Sequence, residues 1–121
     1  MTRTPSQKGS IVQKVTLTAL ARHQLEIARN AASGRSGHTV FGGHEHLMRQ
    51  TMVALRAGSS LQEHESPGDA TVHVLQGRVN LVAGEVRWNG LAGDLLIIPD
   101  ARHSLEAVED SVVLLTVAKQ I

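Results

Sequence analysis

The sequence contains no cysteine. That excludes disulfides, thiolate nucleophiles and thiolate metal ligands, and it fits a reducing compartment. Aromatic residues are nearly absent: no tyrosine, one phenylalanine (Phe41) and one tryptophan (Trp88). A platform for single-stranded nucleic acid needs rings on which bases stack, so that function class is disfavoured. The formal net charge is only +1, which leaves no basic footprint for nucleic acid or an anionic membrane. No apolar run approaches the ~20 residues of a bilayer span, and the N-terminus lacks the apolar core of a secretory signal. The expectation is a cytoplasmic protein with no nucleic-acid and no membrane partner. Also missing are a phosphate-binding glycine loop ending in Lys-Ser/Thr and a G-x-S-x-G nucleophile elbow.

What is present suffices for one well-packed domain. The chain has 121 residues, 41% of them hydrophobic and 19% charged, the balance of an ordinary globule with a single core. Residues 1–15 read as a polar tail followed by Ile11–Val15, whose alternation fits a short edge strand. Residues 16–34 read as a helix and its stop. Leu17, Leu20, Ala21, Leu25, Ala28 and Ala32 recur at spacings of three and four, which makes one apolar stripe. Thr16 or Thr18 is placed to cap its start, and Gly34 to end it. His23 falls on the wet side of this helix.

From residue 35 to 121 the pattern changes to short strands separated by turn residues at intervals of eight to twelve, the grammar of an antiparallel barrel or sandwich. Strands are predicted at His38–Phe41, His46–Arg56, Leu61–Glu65, Ala70–Leu75, Arg78–Val82, Val86–Trp88, Leu95–Ile98, His103–Val108 and Val112–Ala118. Gly42-Gly43 reads as a hairpin turn, Asn89-Gly90 as another turn, and Pro99 as the stop of a fully apolar, buried strand. The segment His46–Arg56 is ambiguous. One face carries His46, Met48, Gln50, Met52 and Ala54; the other carries Leu47, Arg49, Thr51, Val53 and Leu55. Neither is purely polar, so both faces are expected to be covered at least in part.

Seven histidines are the one unusual count, and two of them lie in related settings. Gly58 is followed after five residues by His64, and Gly77 closes that stretch. Downstream, Gly93 is followed after five residues by Pro99 and then by His103. These two stretches resemble the signature motifs of the cupin family, at the right spacings and in the right order, over residues 56 to 118. The resemblance implies an all-β cupin jelly-roll barrel (double-stranded β-helix) with one N-terminal α-helix outside it. It also implies the ligand positions that usually hold a divalent metal. Here only His64 and His103 keep them. Ser66 stands at the second histidine, Ala70 at the glutamate, Ala101 at the second glycine and Ala107 at the asparagine.

Two imidazoles are too few for a tight catalytic metal, which takes three or more protein ligands. His44 and His46 share a strand face. If that face points into the barrel, His46 becomes a third nitrogen ligand beside His64 and His103, for zinc, iron, manganese or nickel, and Gln50 joins the pocket. Ala70 at an inward position puts Val72 inward and His73 outward. Arg102, beside His103, could orient an anion; Glu63, Glu65 and Asp69 read as a solvated loop, and His38 as structural. Three functions stay open: a non-catalytic binder of a small molecule, with His64, Ser66, Val72, His103 and Gln50 in the pocket; a metal-dependent dioxygenase- or isomerase-like enzyme using His46, His64 and His103; and a structural or regulatory homodimer. The first is preferred, and a homodimer is compatible with each.

Overall fold

The computed structural model of the chain describes residues 11–65 and 68–119. One helix precedes nine strands: α1 (Leu17–Asn30), β1 (Arg35–Phe41), β2 (Met48–Leu55), β3 (Ser60–His64), β4 (Gly68–Gln76), β5 (Arg78–Ala83), β6 (Val86–Leu91), β7 (Leu95–Ile97), β8 (His103–Ala107) and β9 (Ser111–Lys119). The strands form a five-stranded sheet in the order β1-β2-β9-β4-β7 and a four-stranded sheet in the order β3-β8-β5-β6. All pairings are antiparallel. This is the all-β jelly roll with one N-terminal helix that the sequence pattern implied.

Period-two alternation decides what each sheet buries. Val53, Leu55, Ala70, Val72, Val74, Val113 and Val117 from the first sheet meet Val79, Leu81, Leu105 and Ala107 from the second in one aliphatic core. The outer face of the first sheet supplies a second core. There Met52, Ala54 and Val112 receive Ala21, Leu25 and Ala28 of α1. The small alanines let the helix backbone approach the sheet closely, and Met52 fills the remaining gap, being fully buried.

The ends of α1 follow from identifiable bonds. Thr16 is the N-cap residue, but its side chain makes no capping bond. At the other end Ala31 turns extended, with φ −84° and ψ 142°. Arg56 Nη1 donates to the carbonyls of Arg29 (3.0 Å) and Ala31 (3.2 Å), closing carbonyls the helix leaves open. Asp110 ties the same end to the barrel: it accepts from the Ala57 amide (2.8 Å) and from Arg29 Nε (2.7 Å). The Ala57 N–H first, and the Arg29 guanidinium after it, hold the Asp110 carboxyl below the usual carboxylate range.

Several expectations give way. Ile11–Val15 is not a strand. It belongs to no helix or strand, and Ile11 and Val12 are largely exposed. Asn89-Gly90 is not a turn: β6 runs through it, because Asn89 pairs Asn80 and the bare Gly90 lies against Leu96 and Val74. The turn falls later, where Asp94 accepts from the Leu91 amide at 2.8 Å. The apolar run Leu95–Ile98 is buried on one side only. Leu96 packs on the core, whereas Leu95 and Ile97 are 57% and 69% exposed, because β7 is an edge strand whose outer face nothing in the chain covers.

Candidate functional site

The two motif histidines meet. β3 and β8 are adjacent, and His64 lies opposite His103 in the register. Leu105 and Ala107 belong to the core, so alternation along β8 places His103 on the inner face as well. A register shift between Leu61 and His64 brings His64 to that face too, since Leu61 also packs on the core. The ring centroids are 4.5 Å apart with planes at 62°, an edge-to-face pair. His103 is 4% exposed and His64 is open to solvent, so the pair marks a rim: one ring in the wall, one at the mouth.

Each ring is held by the same local device. His64 Nδ1 lies 2.7 Å from the carbonyl of Gln62, and His103 Nδ1 lies 2.9 Å from that of Ala101. A carbonyl only accepts, so each Nδ1 carries the hydrogen, and in the neutral ring Nε2 is left as a lone-pair acceptor. No described residue takes either Nε2. Beside this rim Arg102 is tied to Glu63 (3.0 Å) and lies 3.9 Å from Glu65, in an exposed ion-pair cluster.

The other residues singled out in the sequence fall on both sides of the wall. Val72 is in the barrel core. Ser66 lies outside the described residues. Gln50 and His46 do not join the histidine pair. Val53 and Leu55 face the barrel while Met52 and Ala54 face α1, so Gln50 shares the outer face, where it donates to Thr116 Oγ1 at 3.2 Å. His46 precedes β2 and packs on Phe41, ring centroids 4.8 Å apart. His38 is exposed on β1 and His44 lies in an exposed loop. His73 sits on the outer face, opposite Leu114 and Leu95.

This placement bears on the metal that the motif resemblance implied. Among the described residues no three His, Asp or Glu side chains converge as a metal-holding group. Two imidazoles, with alanine at the carboxylate position and His46 elsewhere, fall short of the three protein ligands of a tight catalytic site. The donor set of the described residues therefore does not fit a resident catalytic metal.

Sequence reasoning missed inner-face residues on two strands, β6 and β2. Trp88 pairs with Leu81 and so points to the barrel side, yet it is 42% exposed; Val86, next along that face, is 51% exposed. Inward residues that water still reaches show that the barrel is open along β6. Arg49 is the one on β2. Its parity with Val53 and Leu55 puts it on the inner face, opposite Val117. The signal that could have found both was the parity of β2 and β6, which the mixed polarity of those strands concealed.

No protein-family model matches the sequence, and no curated protein matches it. Solved structures do. A conserved protein of unknown function from Streptococcus pyogenes superposes with a TM-score of 0.67 at 26% identity, covering 75% of this chain and 79% of that one. A cupin superfamily protein from Desulfitobacterium hafniense gives 0.65 at 16% identity, over 71% and 78% of the two chains. An RmlC-like cupin from Desulfovibrio desulfuricans gives 0.62 at 20% identity, over 93% and 95%. Two antiparallel sheets, the motif turns in sequence order and this agreement along nearly the whole chain show that the protein has the cupin jelly-roll fold.

Proposed function

We propose that the protein binds a small organic molecule at the rim of the barrel, with His64 and His103 hydrogen-bonding it, and that it does so without redox catalysis. The observation that carries this reading is the paired orientation of the two rings. Both Nδ1 atoms are occupied by backbone carbonyls, so both Nε2 acceptors remain for a ligand in an otherwise aliphatic interior. Pockets that are mostly apolar with a few converging polar groups are the usual form of a small-molecule site.

The test is a thermal-shift screen of small organic acids, alcohols and sugars on wild type, His64→Ala and His103→Gln. A hit is expected to raise the wild-type midpoint and to lose about tenfold or more in affinity in either variant. His64 is exposed, so its variant should keep the wild-type fold and separates lost binding from lost folding. Hits that stabilise all three proteins equally would sink the assignment. Elemental mass spectrometry after loading with zinc, iron, manganese or nickel and dialysis closes the metalloenzyme reading: one retained ion per chain, lost in His64→Ala, would replace binding by metal-dependent catalysis.

A specific observation also favours a homodimer. Beyond the edge of α1 the outer face of the first sheet exposes Met48 (41%), Leu95 (57%) and Ile97 (69%), with His73, Thr71 and Thr116 between them. Exposed apolar side chains clustered on one sheet face mark a protein contact. A second copy meeting this face about a two-fold axis buries it on both chains at once. Light scattering coupled to size exclusion is expected to show a dimer for wild type and a shift towards monomer for Ile97→Lys; a monomeric wild type at ~100 μM would refute the dimer, since a stable interface persists at that concentration.

A further inference from the structure

Arg49 is a cation on the inner face of the barrel. Along β2 the inward positions are Leu55, Val53, Thr51 and Arg49, paired with Ser111, Val113, Leu115 and Val117 of β9. Val117 in turn lies opposite Ala70 of β4, and the Ala70 carbonyl accepts from the Ile98 amide at 3.0 Å. Arg49, Val117, Ala70 and Ile98 therefore form an inward row near one end of the first sheet, with Lys119 and Gly68 paired in the row beyond it. The histidine pair is at the same end of the second sheet. Residues 99–102 join Ile98 to His103, and residues 65–67 join His64 to β4. Arg49 is thus a rim residue of the mouth that His64 and His103 occupy.

Its charge has no counterpart there. Arg29, Arg78, Arg87 and Arg102 each have a carboxylate partner, whereas Arg49, like Arg22, Arg35 and Arg56, has none among the described residues. The rest of the inner face near it is largely aliphatic; its described polar side chains are Thr51, the two imidazoles and Lys119, whose Nζ donates to the Gly43 carbonyl at 3.0 Å. A guanidinium at the edge of a low-dielectric interior favours a planar carboxylate, which it grips through two parallel N–H bonds. The remaining walls specify the ligand body. They offer almost no hydrogen-bond partners, which disfavours a sugar. They offer one ring, the indole of Trp88, one inward row from Val86 and half open to water.

We infer that Arg49 is the anion anchor of the barrel mouth, and that the ligand is a small aromatic hydroxy acid. Its carboxylate sits on Arg49, its hydroxyl donates to a histidine Nε2, and its ring lies among the aliphatic side chains within reach of Trp88. This rests on the reading of the barrel rim as a binding site.

The sequence supplies a reporter: with one tryptophan and no tyrosine, intrinsic emission comes from Trp88 alone. Wild type, Arg49→Gln and Arg49→Lys are titrated with 3- and 4-hydroxybenzoate and with the corresponding neutral hydroxybenzamides, following Trp88 emission and, independently of it, saturation-transfer NMR of the probe. Arg49 is exposed, so neither variant is expected to lose the fold, which a melting curve verifies. At least one acid is expected to bind wild type more tightly than its amide, to lose about tenfold or more in Arg49→Gln with the amide unchanged, and to recover in part in Arg49→Lys. Acid and amide binding alike, before and after removal of the charge, overturns the anchor while leaving the rim site standing. Acid binding that survives Arg49→Gln undiminished does the same. No binding of any probe by either readout overturns the rim site and the anchor with it.

Discussion

Gly77→Ala is expected to lower the thermal midpoint by about 10–20 °C. Gly77 links β4 to β5 at φ +83°, a conformation that costs an L-residue about 1–2 kcal/mol. Space is the second difficulty. An added Cβ would collide with the Asp110 carbonyl oxygen and stand 2.9 Å from Ser111 Cα. Both are backbone atoms and cannot swing aside. Moving them disturbs a knot of bonds. Arg78 N donates to Ser111 Oγ at 3.1 Å, and that hydroxyl has the carbonyls of Arg78 (3.0 Å) and Glu109 (2.7 Å) in reach as acceptors. Ser111 is fully buried, so any of these groups left unpaired carries its own penalty. Strain and lost bonds together come to roughly 3–4 kcal/mol, and a chain of this size loses about 3–5 °C per kcal/mol. Calorimetry or a circular-dichroism melt reads the shift directly, and a midpoint within about 5 °C of wild type would show that the turn relaxes at little cost.

Met52→Ala is expected to cost about 2–4 kcal/mol. Met52 is fully buried between the first sheet and α1, where its thioether fills the space beside Ala21, Leu25 and Ala28. Two of these neighbours are alanines, which have no longer rotamer with which to fill the hole. The consequence is local as well as global. A 14-residue helix is marginal in water without a surface to pack on, so part of the cost should appear as undocking of α1. Hydrogen exchange is expected to show α1 amides losing protection by about tenfold or more beyond the loss in β4 and β9, while denaturant melts report the total. A loss of stability under about 1 kcal/mol would mean that α1 slides inward to close the gap, and the helix contact would then be softer than its packing indicates.

These two sites also show which parts of the molecule the sequence made legible. The motif glycines Gly58, Gly77 and Gly93 all sit at positive φ, between +83° and +96°. Backbone geometry of that kind is tied to residue type, so the glycine spacing carried the resemblance to the cupin motifs, and the resemblance implied the fold. The pairing of His64 with His103 was legible for the same reason, since the turns before them set the register. What the sequence concealed was facing. On β2 both faces are apolar, one against the barrel and one under α1, and alternation loses its meaning when each side of a sheet has a core. The sequence left the facing of β2 open, and His46 and Gln50 enter the pocket only if the even positions point inward. The odd positions are the inner ones, and Arg49 is there instead. The apolar run at β7 misled differently: a strand at a sheet edge need not be covered on its outer side, however hydrophobic it reads. Ile11–Val15 alternates like a strand, but alternation supplies no partner.

The position of β9 governs when this molecule can acquire its structure. It is the last strand in the sequence and the central one in its sheet, flanked by β2 on one side and β4 on the other. Val112 of the same strand forms part of the seat of α1. As the chain leaves the ribosome, α1, β1 and β2 therefore emerge with no lasting surface to dock against, and β4 waits without its main neighbour. Closure depends on pairing between residues about 60 positions apart, such as Val53 with Val113, and long loops of that kind slow folding. The nascent chain should stay open until residue 119 has cleared the exit tunnel and then close in a single step. Translational stalling at any earlier codon would expose the β2 and β4 edges to other chains for as long as the stall lasts.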